Sequence, residues 1–305
     1  MKLVSTTNDF IFYYPNDEIS QIRELHRAGF RYIDLSMFSL RPESPLMQDN
    51  WREAVAALQA EADALGMTFV QAHSEGGNPF WHNEEKVAYL KASTLRSFEI
   101  CGALGIPHTV IHPGHDTGLT KEQWFCMNRD FYNELLPAAQ RCGVEILIEN
   151  SAAVCLDGRY YANTGAEMRE FLSFVGSPHL HACWDTGHAN CEGTQYEHIK
   201  ALGEELHAIH YNDNRGVHDD HLLPFFGTLN HDEVLHALLD IGFKGHFTLE
   251  CCGTLPTVKS WPYKRRLFPE DTRLQEAPLF VQQKLEALLY DTAKYILNAY
   301  GLLEE

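Results

Sequence analysis

The composition of this 305-residue chain predicts a large folded protein. It carries 42 Asp and Glu residues against 24 Lys and Arg residues, which gives a formal net charge of −18. Because nucleic acids are bound mainly through cationic contacts with phosphates, this acidity disfavours a nucleic-acid partner. Aromatic residues make up 11% of the chain, enough apolar surface for an extensive core, which excludes a disordered protein.

The sequence shows no sign of export or membrane insertion. The N-terminal segment lacks an apolar run of signal-peptide length, and no stretch approaches the ~20 apolar residues of a membrane-spanning helix. The eight cysteines do not follow the spacing of a disulfide scaffold. We therefore expect a cytoplasmic enzyme with reduced thiols and no membrane partner.

Eight short apolar runs alternate along the chain with longer amphipathic segments. The predicted strands are residues 2–6, 32–36, 68–73, 109–112, 144–149, 179–185, 205–210 and 246–250. Predicted helices include residues 51–65, 84–104, 121–141, 166–175 and 231–239. Strands that alternate with helices form parallel sheets, because parallel neighbours need a crossover connection. Eight units of roughly 35 residues predict one (β/α)8 TIM barrel domain over residues 1–305.

One segment interrupts this alternation. Residues 253–278 carry four prolines and separate the eighth predicted strand from the last helix. The segment contains Trp261, Tyr263 and a basic run of Lys264, Arg265 and Arg266. Because long loops in compact domains usually have a function, we expect a lid over the barrel or a partner contact, with a plain surface loop as the alternative.

Six consecutive predicted strands, the third to the eighth, end in a residue that can bind a metal ion. These residues are His73, His112, Glu149, Asp185, His210 and Glu250. The carboxyl ends of all strands in a TIM barrel open onto one face, where active sites form, so the six side chains are predicted to converge. A divalent cation relieves the repulsion among clustered carboxylates, and the pattern therefore predicts a metal site.

Two loop segments add further donors to this set. His188 follows Asp185 by three residues, and Asp219 and His221 lie in the loop after His210. Carboxylates and imidazoles suit Mn²⁺, Zn²⁺, Co²⁺ or Mg²⁺. We expect one divalent ion and leave open a site with more than one Zn²⁺.

The strand-end series and the motifs WDTGHAN, IHYNDN, DDHLLPFFGTLN and HFTLECCG together resemble the sugar phosphate isomerase/epimerase family of xylose isomerase-like TIM barrels. The resemblance covers roughly residues 29–252, and the wider superfamily also contains endonuclease IV. It implies a divalent metal held by Glu149, Asp185, His210 and Glu250. It also implies that the two glutamates act as catalytic acid and base, and that His188 contacts substrate hydroxyls.

The resulting hypothesis is a metal-dependent isomerase or epimerase of a sugar, sugar phosphate or polyol. A carboxylate removes the proton next to a carbonyl, the metal stabilises the enediolate, and a second carboxylate returns the proton. A carbohydrate is the expected partner. The sugar, the carbon atom, the metal and any self-association into a homo-oligomer stay open.

The alternative hypothesis is an endonuclease IV-like zinc phosphodiesterase that acts on abasic DNA. The resemblance extends to that enzyme because His73, His112, His188, Asp219 and His221 complete its nine donor positions. The net charge and the acidic loop SEGGNPFWHNEE after His73 argue against DNA. Dehydration of a polyol or keto acid, and a barrel that binds without turnover, are further alternatives.

Other residues receive structural or accessory interpretations. Four of them precede a strand-end donor by four residues and are expected to form a buried, hydrogen-bonded layer lower in the barrel: His108, Glu145, His181 and His246. Asp34 either lines the pocket or is an inward-facing structural carboxylate. Loop aromatics that would stack on a sugar are Phe80, Trp81, Phe225, Phe226, Trp261 and Tyr263.

Overall fold

The computed structural model describes residues 1–156, 160–255, 265–271, 273 and 276–304. Its strands are β1 (Leu3–Thr6), β2 (Tyr32–Ser36), β3 (Thr68–His73), β4 (His108–Val110), β5 (Glu145–Glu149), β6 (Leu180–Asp185), β7 (Leu206–Tyr211) and β8 (Phe247–Leu249). The α-helices within these residues are α1 (Glu18–Ala28), α2 (Trp51–Leu65), α3 (Glu84–Leu104), α4 (Lys121–Arg141), α5 (Gly165–Val175), α6 (Thr186–Glu192), α7 (Tyr196–Leu202), α8 (His231–Asp240) and α9 (Leu279–Ala299).

The eight strands close into a parallel barrel. Each strand pairs with the next one along the chain, and β1 pairs with β8. Helices connect the strands and surround the barrel. Gly66 ends α2 with φ 65°, a left-handed conformation that glycine adopts without strain, and β3 begins two residues later. The predicted (β/α)8 fold is confirmed.

Two apolar regions stabilise the barrel. The larger core lies between the strands and the helices, where the fully buried Trp124 of α4 packs edge to face on Phe171 of α5. A smaller apolar group, here called the inner layer, lies inside the barrel and consists of Val110, Leu147, Cys183 and Ala208. Because the inner layer is apolar, it separates polar residues at the two ends of the barrel.

Two predicted strands extend beyond the carboxyl ends of the observed ones. β4 ends at Val110, two residues before His112, and β8 ends at Leu249, one residue before Glu250. Pro113 follows His112 and has no N–H to donate to a neighbouring strand, which favours an early end of β4. His112 and Glu250 therefore lie in the first residues of loops rather than in the sheet.

The segment between β8 and α9 is only partly described. Residues 256–264, 272 and 274–275 lie outside the described residues, and these include Trp261, Tyr263 and Lys264. The prediction that residues 253–278 form a lid or a partner contact therefore stays a prediction. None of the helices in the described parts of the chain has both the length and the apolar character needed to cross a membrane.

Candidate metal centre

The carboxyl ends of β5 to β8 bring four donors together. One ligand atom from each residue lies within 4.8 Å of the others in the group Glu149, Asp185, His210 and Glu250. The pairing of β6, β7 and β8 aligns Asp185 with His210 and His210 with Thr248, so these strand ends lie at one level. Three carboxylates and one imidazole suit a single divalent ion such as Zn²⁺, Mn²⁺ or Co²⁺. The side chains predicted as metal ligands are thus close enough to share an ion.

Burial and charge pairing shift the protonation of these donors. Burial alone would raise the pKa of Glu149, but the charge of His210 and the hydrogen bonds from His112 and His210 hold it well below its ordinary value. Burial raises the pKa of Asp185 to about 6, although the charge of His188 opposes this rise. Ligands bind metals in their deprotonated form, so a cation would replace protons that the imidazoles now share with the carboxylates.

Gln71 of β3 orients the His210 ring. The Nε2 atoms of Gln71 and His210 lie 2.9 Å apart, and Thr248 Oγ1 donates to Gln71 Oε1 at 3.2 Å. The opposite ring nitrogen, His210 Nδ1, lies 2.6 Å from Glu149 Oε1 and 3.5 Å from Glu250 Oε2. Nδ1 therefore faces the carboxylates and would bind an ion held among them, and Gln71 holds the other side of the ring as outer partners of metal ligands do. Sequence reasoning missed Gln71, although its position two residues before a strand-end donor places it on the inner face.

A second donor group lies beside Glu149. His112 Nε2 lies 2.5 Å from Glu149 Oε2, and His73 Nε2 lies 3.6 Å from the same oxygen. His73 Nδ1 is 2.8 Å from the carbonyl oxygen of Ser74, so Nδ1 carries the proton that this bond needs and Nε2 faces the carboxylate. One ligand atom each of His73, Glu149 and His210 also lies within 4.8 Å of the others. Glu149 thus belongs to two overlapping groups.

Asp185 combines a place in the centre with a helix cap. Its Oδ1 accepts a hydrogen bond from the His188 backbone N–H at 2.6 Å, which caps the N-terminus of α6. Asn212 Nδ2 donates to Asp185 Oδ2 at 2.7 Å, and Asn150 Oδ1 accepts from the Asp185 N–H at 2.6 Å. The bonds from the His188 N–H and Asn212 fix the carboxylate in one orientation, and the bond to Asn150 fixes the backbone beside it. Sequence reasoning missed both asparagines. The sequence signal for them is their position directly after the strand-end residues Glu149 and Tyr211.

The loop after β7 turns back over the barrel and carries two predicted donors to the centre. Asp213 and Leu222 exchange backbone hydrogen bonds at 2.9 and 2.7 Å, which closes the loop. Asp219 Oδ2 then lies 3.1 Å from His188 Nε2 and 2.9 Å from His221 Nε2. Burial would lower the pKa of His188, but the charges of Asp185 and Asp219 outweigh it and raise the pKa to about 10. The structure therefore brings all nine predicted site residues to one face.

Cys155 is a donor that sequence reasoning missed. It is a free thiol in the loop after β5, and one ligand atom each of Cys155, His188 and Asp219 lies within 4.8 Å of the others. A thiolate with imidazole and carboxylate is a donor set that suits Zn²⁺. The sequence carries no signal for this contact, because Cys155 lies six residues beyond the end of its strand and its position depends on the loop path.

A cavity of about 210 Å³ opens beside Glu149. Its lining includes Trp81, His112, His115, Glu149, Tyr160 and His188. Asn78 ties two of its loops together, because Asn78 Nδ2 donates to the carbonyl oxygen of His115 at 2.6 Å and Asn78 Oδ1 accepts from His115 N at 3.1 Å. Among the predicted loop aromatics, Trp81 lines the cavity, whereas Phe225 and Phe226 are more than half exposed.

The predicted lower layer is half-buried rather than buried, because it lies at the open amino ends of the strands. Its hydrogen bonds also run to residues outside the predicted set: Glu145 Oε2 to His207 Nδ1 at 3.0 Å, and His181 Nδ1 to Glu205 Oε2 at 2.9 Å. Asp34 is fully buried in β2 and does not belong to the cavity lining, and burial raises its pKa to about 6. Its position favours the structural interpretation.

Comparison with known proteins identifies related chains. A family model described as xylose isomerase-like TIM barrel matches residues 22–280. An uncharacterized protein of Methanocaldococcus jannaschii is 29% identical over 190 residues, which cover 60% of this chain and 64% of that protein. D-psicose 3-epimerase of Enterocloster bolteae is 30% identical over 122 residues, which cover 38% of this chain and 36% of the epimerase. The chain thus spans less than two thirds of the length of these curated relatives.

Solved structures extend the likeness over the whole chain. The crystal structure of IolI protein with a bound zinc atom superposes with a TM-score of 0.73 at 18% identity. The match covers 98% of this chain and 99% of that one. At this identity the likeness shows a shared fold.

Proposed function

Because this chain belongs to the xylose isomerase-like TIM barrel family, we propose that it is a divalent-metal-dependent sugar isomerase or epimerase. The observation that carries the proposal is the convergence of Glu149, Asp185, His210 and Glu250 beside a cavity. The partial match to D-psicose 3-epimerase supports this reaction class. The zinc atom in the structurally similar IolI protein supports a metal.

The four converging residues would hold the ion through three carboxylates and His210 Nδ1. A bound divalent ion supplies a Lewis acid that stabilises negative charge on sugar oxygens. The hydrogen bond from Asn212 holds the Asp185 carboxylate in place for this task, and Asn150 holds the Asp185 backbone. The inner layer below Glu149 is apolar, which excludes water from that side of the centre.

Glu149 and Glu250 are the proposed proton-transfer groups. The pKa of Glu149 lies well below its ordinary value for the reasons given above, so this carboxylate is ionised and able to accept a proton at neutral pH. Burial would raise the pKa of Glu250, but the charges of His210 and His221 outweigh it and lower the pKa. Both glutamates therefore begin ionised. One accepts the substrate proton and becomes a carboxylic acid, and the other must take up a proton from solvent before it can return one to the enediolate.

Imidazoles around the cavity are the proposed contacts for sugar hydroxyls. His112 and His188 both line the cavity that Glu149 faces. His188 Nδ1 lies 2.8 Å from the carbonyl oxygen of Asn150, and Nε2 lies 3.1 Å from Asp219 Oδ2, so both ring nitrogens are held and the ring is fixed at the cavity wall. Trp81 adds an apolar wall on which a sugar ring would pack.

Proton exchange with solvent tests this proposal. D-fructose, D-psicose and D-tagatose are incubated with the full chain and Mn²⁺ in deuterated water, and deuterium next to the carbonyl carbon is measured by NMR. We expect exchange with at least one sugar and a loss of about 100-fold or more in Glu149→Gln, since a general base contributes about that factor. The matched control is Glu122→Gln, an exposed glutamate of α4, which should keep the wild-type rate. A Glu149→Gln protein that binds Mn²⁺ and exchanges at full rate would contradict the proposed role.

A multinuclear phosphodiesterase is the second candidate. Two further donor groups extend the four-residue centre, one around His73 and His112 and the other around His188 and Asp219. This arrangement favours more than one ion. Cleavage of a duplex with a single abasic site in the presence of Zn²⁺, together with absence of exchange in every sugar, would reverse the order of the two candidates.

A further inference from the structure

The amino ends of β5, β6 and β7 carry a separate group of candidate metal donors. One ligand atom each of Glu145, His181 and His207 lies within 4.8 Å of the others. We propose that these three residues, here called the lower cluster, bind a transition-metal dication of the Zn²⁺ class, independently of the candidate metal centre.

The lower cluster lies too far from the candidate metal centre to share its ion. Glu145 and Glu149 stand at opposite ends of β5, four residues apart, a separation of about 13 Å at the usual rise of a strand. The inner layer fills the barrel between them, and each of its members is at most 1% exposed. The lower cluster opens instead at the amino-terminal mouth, where the side chain of Glu145 is 37% exposed and that of His207 is 30% exposed.

A β-bulge places His207 in this group. In the pairing of β6 with β7, Ala182 aligns with Leu206 and Cys183 with Ala208, which leaves His207 as an extra residue. A bulge of this kind turns a side chain away from the regular alternation of the strand. His207 thereby reaches Glu145, with 3.0 Å between its Nδ1 and Glu145 Oε2.

The rings of His181 and His207 are stacked on each other. Their centroids lie 3.7 Å apart, and their planes differ by 14°. An ion between them requires the rings to turn about the Cβ–Cγ bond, a torsion with broad energy minima in histidine, and the partly open mouth leaves room for that rotation. His181 Nδ1 lies 2.9 Å from Glu205 Oε2, and His181 Nε2 lies 3.2 Å from the carbonyl oxygen of Pro178, so an ion would replace one of these two contacts of the ring.

The donor types select the class of ion. Two imidazoles and one carboxylate suit Zn²⁺, Co²⁺, Ni²⁺ or Cu²⁺, whereas Mg²⁺ and Ca²⁺ prefer oxygen ligands. His108 of β4 pairs with Glu145 in the strand register and is a candidate for a fourth ligand. An ion held here would link three neighbouring strands and stabilise the folded chain, since the unfolded chain has no such site.

Counting bound ions tests the lower cluster. The tag-free full-length chain and its variants are dialysed against micromolar Zn²⁺, and zinc per chain is measured by mass spectrometry. We expect His207→Gln, and separately His181→Gln, to bind one ion fewer than the wild type. The control His246→Gln changes a histidine just before β8 that is outside the lower cluster, and it should retain the wild-type count. An equal count in the wild type and both cluster variants, each folded by circular dichroism, would overturn the proposal.

A second set of variants separates this result from the proposed enzymatic function. Glu149→Gln combined with Asp185→Asn removes two donors of the candidate metal centre and should leave the lower-cluster ion in place. The melting temperature of this double variant should still rise with Zn²⁺, and the added His207→Gln substitution should reduce that rise. Absence of a zinc-dependent rise in the double variant would refute the lower cluster, whatever the sugar assays show.

Discussion

Replacement of Glu286 by Gln is expected to remove a large pH dependence of stability. Glu286 lies in α9, is 1% exposed, and accepts a hydrogen bond from Ser5 Oγ of β1 at 2.7 Å. Burial raises the pKa of Glu286 to about 7, although the hydrogen bonds from Ser5 and Asp9 oppose the rise. Burial and the charge of Glu286 also hold the pKa of Asp9 well above its ordinary value. The two carboxyl groups thus retain protons in the folded chain.

The sign and size of the effect follow from this raised pKa. The folded chain holds the Glu286 proton more tightly than the unfolded chain, whose ordinary pKa is 4.5. Between about pH 4.5 and pH 7 the folded state therefore binds more protons, and the free energy of unfolding falls as the pH rises. At 1.36 kcal/mol for each pKa unit, the rise from 4.5 to about 7 corresponds to a loss of about 3 kcal/mol in the free energy of unfolding. Below about pH 4.5 the contribution is fully present.

Urea unfolding at about pH 5 and about pH 8 measures the difference. With a metal chelator present in every sample, the wild type should lose about 3 kcal/mol more between the two pH values than Glu286→Gln, because glutamine does not titrate and can still accept the Ser5 bond. The control Glu197→Gln alters an exposed glutamate and should follow the wild type. Equal losses in the wild type and Glu286→Gln would refute the reasoning.

Two substitutions test the support around the candidate metal centre. Gln71→Leu removes the side chain that holds His210 and should weaken Mn²⁺ binding by about 10- to 100-fold in calorimetric titration; unchanged affinity would show that Gln71 does not orient the ligand. Gly187→Ala should lower the free energy of unfolding by about 1–3 kcal/mol, because the new Cβ would lie 1.9 Å from Asn212 Oδ1 and displace the side chain that bonds Asp185. Wild-type stability of Gly187→Ala in urea would contradict that packing argument.

Much of the fold and of the candidate site is readable from the chain alone. The alternation of apolar runs with amphipathic segments predicts a parallel barrel, because parallel neighbours require crossovers. Glu149 and Asp185 end β5 and β6 as predicted, and His210 lies one residue before the end of β7. The fold then places these strand ends on one face, so local pattern and a general rule of topology together identify the donors.

Other contacts depend on tertiary geometry that periodicity does not carry. Cys155 reaches His188 and Asp219 through the path of a loop, and no spacing rule predicts that path. Gln71 contacts and orients His210 because β3 and β7 lie opposite each other across the barrel.

His207 shows the physical limit of sequence reasoning most clearly. In a regular strand every second residue before His210 faces the barrel interior, which assigns Ala208 and Leu206 to inner positions. The bulge opposite Ala182 interrupts this alternation. The sequence by itself thus determined which strands the barrel contains and which side chains end them. The register irregularities and loop paths, which arise only when the strands pair and close, decided which additional side chains meet.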